Sequence, residues 1–208
     1  MPIKSRFLAS VFTAGALLVA AGGAQANPVL QYASSVIGFS SQYSTTSWSA
    51  QQALGAPNTP SYGDIPTAWA PLPRNGSLEW LSVGFGTAVY ATGATIRESS
   101  GNGFVYQVDL IDTLGHLHTV WSGADNSAPG ALVDFTLAWA PTSYLVSGLK
   151  VYTNTDHNSS SWEEIDAIQL AGSTTSANVP EPGTMVLLGM GLFAFAAARR
   201  KPGHRKSF

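Results

Sequence analysis

Glu164 and Asp166 are followed at the same spacing by Ile168 and Leu170. On a strand, alternate residues share a face. If Ile168 and Leu170 meet a core, the two carboxylates stand at its rim and need partners. A cation, the guanidinium of Arg97, backbone N–H groups or plain exposure at the strand's start would each serve. His116 and His118 share a face in the same way, at a spacing that can chelate a metal. No third ligand lies near them in sequence, so a solvated pair at a sheet edge is the plainer reading. Glu163 and Glu164 are adjacent and point to opposite faces of a strand, which is wrong for a paired acid–base site. Asp156-His157, among its serines, has no nucleophile elbow. The chain is not expected to be an enzyme.

Binding chemistry is better represented. The six Trp are Trp48, Trp69, Trp80, Trp121, Trp139 and Trp162. Such a density serves either a sandwich core or a sugar-stacking surface. Tyr43, Trp48, Tyr62, Trp69 and Trp162 are the aromatics nearest to loops. Arg97 and Asn102, with Glu98 and the Asn154–Asn158 segment, could bond to hydroxyls. The candidate ligand-binding set is therefore Trp48, Tyr62, Trp69, Arg97, Asn102 and Trp162, although each Trp taken singly packs more readily into a core or a loop.

The elements that must position these residues are strands. Leu78–Phe85, Val89–Glu98, Gly103–Ile111, His116–Trp121, Leu132–Trp139, Tyr144–Tyr152 and Glu164–Leu170 show alternation or β-branched composition. No segment between 27 and 178 sustains helical spacing with caps. Seven strands with short turns and no crossover helices predict an all-β, antiparallel sandwich. Ser40–Pro73 has little periodicity, and a loop of that length inside a compact domain is functional or is ordered by something else.

Both termini read as processing segments. Lys4 and Arg6, the apolar Phe7–Ala21 stretch and Ala24-Gln25-Ala26 predict a signal peptide over 1–26. Residues 27–172 are the domain and 173–178 a polar linker. Val179-Pro180-Glu181-Pro182-Gly183 precedes an uncharged stretch, 184–198, and a basic stop, 199–206. A fifteen-residue helix spans about 22 Å against roughly 30 Å of bilayer core, a poor permanent span. The ordered combination over 179–203 resembles the tail of PEP-CTERM exoproteins. That resemblance implies a short hydrophobic sorting helix and recognition of Pro180, Glu181 and Pro182 by an exosortase. It also implies transient anchoring in the inner membrane and then surface or extracellular delivery, often alongside exopolysaccharide.

Removing the ends exposes a charge that the whole chain conceals. The formal net charge is −2, yet only Arg74, Arg97 and Lys150 of the basic residues lie in the domain, against eleven acids, a formal charge of −8. That argues against nucleic acid as a partner, since phosphates need a basic surface. With no cysteine there are no disulfides and no thiolate chemistry.

A second resemblance rests on Ala50-Gln51-Gln52-Ala53-Leu54-Gly55-Ala56-Pro57-Asn58, the β-rich middle and the closing Glu164-Ile165-Asp166-Ala167-Ile168. These look like galactose-binding-like, discoidin-type jelly rolls, eight-stranded sandwiches used as carbohydrate-binding and adhesive modules. The resemblance implies a structural calcium between the early loop and the last strand. Asn58, Asp64, Glu164 and Asp166 are its candidate side chains, with loop carbonyls around Leu54–Pro57. The expected protein is an exported surface or matrix module that binds glycans or proteins without catalysis. The alternatives are a purely structural matrix component and, less favoured, a secreted hydrolase.

Overall fold

The computed structural model describes residues 28–176 and 189–192. The expected signal peptide, the Pro180–Pro182 motif and the basic stop lie outside them. Of the apolar tail, residues 189–192 are described and are helical. Among the described residues no helix is long and apolar enough to cross a membrane.

Eight strands build the domain: β1 (Pro28–Tyr32), β2 (Ser35–Phe39), β3 (Leu78–Ser100), β4 (Val105–Asp112), β5 (Leu117–Ser122), β6 (Val133–Ala138), β7 (Leu145–Asn154) and β8 (Glu164–Ser173). All pairings are antiparallel. A 3-10 turn at Ala50–Ala53 is the one named helical element of the domain. The fold is the expected antiparallel, jelly-roll-like sandwich.

The two strands expected at Leu78–Phe85 and Val89–Glu98 are one strand of 23 residues. At about 3.3 Å per residue a straight β3 would run some 75 Å, far beyond an ordinary strand. It instead changes partners along its length. Its first part, around Leu78–Gly84, pairs with β2 and β7; its second part, Tyr90–Ser100, pairs with β8, and Gly93–Glu98 with β6. The β7 register breaks between Gly84 and Val89. Gly84 suits this crossing, because a Cβ there would lie 2.6 Å from the Ser35 hydroxyl. β3 therefore belongs to two layers, β2-β3-β7-β4-β5 and β1-β8-β3-β6.

The core lies between these layers. Leu81, Val83, Val108, Leu110, Leu149 and Val151 from one meet Ala91, Ile96, Ile168 and Leu170 from the other in a single buried cluster. β1 and β2 carry no strand signal strong enough to read from sequence. Each has five residues and shows only half-buried alternation, yet Val29 and Val36 still pack against the core.

The registers collect four connections at one end of the sandwich: 40–77, 101–104, 123–132 and 155–163. There Leu78 faces Asn154, Ser100 faces Glu164, and Val133 faces Glu98. The longest connection is ordered by the core itself. Trp69 is fully buried and exchanges backbone hydrogen bonds with Ile165 at 2.8 and 3.0 Å. Its indole N–H donates to the Ser41 carbonyl at 3.1 Å. Ala50, Ala53, Ala68 and Ala70 are buried beside it.

Candidate functional site

The start of β8 is unusually acidic for a buried strand. Glu163, Glu164 and Asp166 have at most 1% exposure. Glu164 and Asp166 are covered by the 58–65 segment of the long loop. Asp166 Oδ1 accepts the Asn58 N–H (3.2 Å), the Thr59 N–H (3.1 Å) and the Thr59 hydroxyl (2.8 Å). Its Oδ2 has no partner. Glu164 Oε2 accepts the Ile65 N–H at 3.3 Å, and its Oε1 has no well-formed bond. Burial pushes the Glu164 carboxyl up to about 9, and the neighbouring Asp64 carboxyl adds to the shift. Glu163 is pushed up to about 8, also chiefly by burial, which the backbone of Glu163 itself and of Asn158 partly offsets; neither of its oxygens makes a well-formed bond.

Asn58, Asp64, Glu164 and Asp166 thus share one place, but in two pairs and by different means. Asn58 meets Asp166 through its backbone, and Asp64 adjoins Glu164. Among the described residues no group of three His, Cys, Asp or Glu is arranged to hold a metal. A cation here would take its remaining oxygens from loop carbonyls. Thr59, which supplies two of the three bonds to Asp166, is not marked by any sequence pattern.

Beside Glu164 the aromatics converge. Tyr43 packs edge-on against Trp48 (ring centroids 5.4 Å apart, planes at 71°) and against Trp162 (5.5 Å, 80°). With Asp64 and Ala70 they line a pocket of about 40 Å³, room for about three waters rather than a sugar ring. A ligand would therefore lie on the rim, with only a substituent inside. The Arg74 guanidinium stands 5.4 Å from the Trp162 ring centre. Among the described residues Trp48 is the only non-glycine residue with positive φ, at 51°, a conformation that costs a bulky residue energy and persists only where its surroundings impose it. Here Pro66 accepts from its N–H and Ala70 donates to its carbonyl, at 3.1 and 3.2 Å.

The remaining ligand candidates lie elsewhere. Trp69 is sealed in the core and offers no ring face. Arg97 pairs with Asp134 of β6 at 3.0 Å. Asn102 is fully buried, its amide donating to the carbonyls of Ala128 and Ala131. Tyr62 accepts the Gly101 N–H at its hydroxyl, 3.3 Å away. Glu98, read from the sequence as a candidate hydroxyl partner, is instead fully buried; it continues the inward phase of Ala94 and Ile96, and that alternation was the available signal of its burial.

At the opposite end of the sandwich, the His116 and His118 rings find the partner that sequence did not show. Asp112 Oδ2 meets His116 Nδ1 at 3.1 Å and His118 Nε2 at 2.9 Å. His118 also stacks on Tyr144, with centroids 4.0 Å apart.

Comparison with known proteins adds two sequence matches. A family model described as "Pappalysin-1, SD scarf domain, C-terminal" matches residues 22–180. The PEP-CTERM protein-sorting motif matches residues 178–201. That motif marks a chain that is exported, held transiently at the membrane and delivered to the surface or outside the cell. No curated protein sequence matches.

Among solved structures, the family 32 carbohydrate-binding module of C. perfringens NanJ, in complex with galactose, is 15% identical with a TM-score of 0.49; the match covers 69% of this chain and 99% of that one. Allantoicase from Saccharomyces cerevisiae is 15% identical with a TM-score of 0.46, over 66% of this chain and 39% of that one. The family 32 module of AlyQ, in complex with 4,5-unsaturated mannuronic acid, is 14% identical with a TM-score of 0.44, over 67% and 96%.

Proposed function

The chain belongs to the family described as pappalysin-1, SD scarf domain, C-terminal, and from that premise we propose that it is a non-catalytic binding module of the cell surface or extracellular matrix, one that holds glycans at the loop end of its sandwich. An exosortase is its processing partner, reading Pro180, Glu181 and Pro182. The observation that carries the binding reading is the Tyr43–Trp48–Trp162 cluster with Asp64 and Arg74 at its edge. Aromatic faces stack on sugar C–H groups, while a carboxylate and a guanidinium bond to hydroxyls. The strained Trp48 backbone holds one ring in place before any ligand arrives. The test is a bacterial polysaccharide array probed with the purified full-length chain. Binding that Trp48→Ala and Trp162→Ala each weaken supports the reading, and silence across the array refutes it.

A structural calcium under the long loop belongs to the same proposal. Glu164 Oε1 and Asp166 Oδ2 are buried without a well-formed hydrogen bond, an arrangement that suits a hard cation completed by carbonyls of the 54–58 segment. It would fasten the loop that carries Trp48 onto β8. The melting temperature measured with and without chelator decides this point, and an unchanged midpoint removes the metal.

A second reading, a structural matrix component without a small ligand, is favoured by β1 and β2. These strands expose Leu30, Tyr32, Ile37 and Phe39, and unpaired apolar edges are templates for association. Concentration-dependent oligomers in solution, lost on Leu30→Lys and Ile37→Lys, would support it.

A further inference from the structure

The acids of β8 are not the only ones lacking donors. Glu98 is fully buried; its Oε2 accepts the Gly103 N–H at 2.9 Å, and its Oε1 has no partner. Asp125, in the 123–132 connection, is 5% exposed; its Oδ1 accepts the Ser127 N–H at 2.9 Å, and its Oδ2 has no partner. The two carboxyl groups lie within hydrogen-bond reach of each other, a contact that closes only with a proton or a cation between them. Asn102, in the 101–104 connection, is also fully buried. Its Nδ2 donates to Ala131 at 2.7 Å and Ala128 at 3.3 Å, which leaves Oδ1 on the other branch of the amide without a donor.

No Lys or Arg of the domain is placed against this group. Of the domain's three basic residues, Arg97 pairs with Asp134, Arg74 lies over Trp162, and Lys150 lies over Trp80 and Tyr152. The close approach is built in. Gly103 has φ +93°, and a Cβ there would fall 2.6 Å from both the Ser127 carbonyl and His157 Nε2. A cleft lined by Gly103, Asp125, Asn126, Asn154 and His157 opens beside it, giving solvent a route to Asp125.

We propose that Glu98, Asp125 and Asn102 hold a divalent cation of the calcium class, separate from the Glu164–Asp166 position. The three side chains offer oxygen only, the donor set of a hard cation, and backbone carbonyls and water from the cleft complete the coordination. The cation fastens the 101–104 and 123–132 connections to the end of β3. Two carboxylates with a neutral amide balance its charge, where the protein alone leaves two acids facing each other.

Calcium bound per chain, counted by native mass spectrometry on the purified full-length protein, tests this. Glu98→Gln keeps the shape and the acceptor for Gly103, so the fold is expected to persist, and the count is expected to fall by one. Asp125→Asn must lower it likewise. In a Glu164→Gln/Asp166→Asn background one calcium must remain, and adding Glu98→Gln must remove it. A count unchanged by Glu98→Gln and Asp125→Asn, or a wild-type chain that binds none, overturns the proposal. A count that falls with these two variants but not with Glu164→Gln/Asp166→Asn upholds this site and refutes the one on β8. Should the double variant fail to fold, the two single variants decide alone.

Discussion

Two buried carboxylates at opposite ends of the same sandwich behave in opposite ways. Asp112, in the β4–β5 hairpin, is 7% exposed, and Glu164, under the long loop, is wholly buried. Asp112 is encircled by donors: the N–H groups of Leu114 and His116 on Oδ1, and the rings of His116 and His118 on Oδ2. The His118 bond foremost, with the backbone donors, holds its carboxyl well below the usual range despite burial. Glu164 has the Ile65 N–H and a weaker contact from the Trp48 indole, with another acid beside it, and burial dominates. Burial alone therefore does not set the charge of a group; the supply of donors does. The hairpin end is electrostatically complete within the chain. At the loop end Glu98, Glu163 and Glu164 are all pushed up to about 8 or 9, chiefly by burial, so without a cation they hold protons at neutral pH.

The contrast can be broken at several strengths. Trp69→Ala removes the anchor that joins the long loop to β8 and should cost about 3–5 kcal/mol, read by denaturant unfolding. A loss below about 1 kcal/mol would show that the loop end does not depend on the core. Next is cation removal: at a hundredfold excess over Kd a bound ion stabilises by about 2.7 kcal/mol, so chelator should lower the melting temperature by about 5–10 °C. Asp166→Asn should remove the part of that response that the β8 position supplies, while Asp112→Asn should leave it intact.

Trp48→Ala and Trp162→Ala should each weaken glycan binding by about 2 kcal/mol, roughly thirtyfold, as central aromatic contacts do. Isothermal titration reads this loss. Substitution of Tyr144, which stacks on His118 at the other end, should leave affinity unchanged.

The smallest and most discriminating effect is the sign of the pH dependence. Without cation, Glu164 and Glu98 bind protons in the folded state that they release on unfolding. Stability should therefore fall as pH rises from about 4.5 towards about 9, and Glu164→Gln or Glu98→Gln should flatten that slope. Asp112 works the other way. Its contribution is present above its ordinary value of 3.8 and is lost as pH falls below it, a decline that Asp112→Asn should reduce. Melting curves in chelator from pH 3 to 9 read both signs in one series, and a single monotonic slope across that range contradicts the comparison.

How much of this was legible depends on the range of each interaction. Leu145–Asn154 and Val105–Asp112 announced themselves because alternation is local. β1 and β2 did not, because five half-exposed residues carry too short a pattern. The join of 78–85 to 89–98 was hidden because Gly86-Thr87-Ala88 between them carries no alternation, and the β7 register shows β3 changing layers across that gap. Among the site residues, Trp48 and Trp162 were found but could not be told from Trp69. All three sit in similar polar, proline-bearing or serine-bearing surroundings, and only Trp69 has an antiparallel bridge to Ile165.

From the sequence alone came the sorting motif and the export it marks, the all-β antiparallel class, the absence of thiol chemistry and the −8 charge of residues 27–172. Those are properties of composition, of motifs and of periods two residues long, which need no partner to be expressed. Tertiary structure decided which Trp is core and which lines the pocket, and which acids have donors. Asp166 and Thr59 are 107 residues apart, and Asp64 and Glu164 meet across a similar gap. A carboxylate's charge and a ring's exposure depend on what the fold brings against them, and that is decided by contacts this distant in the chain.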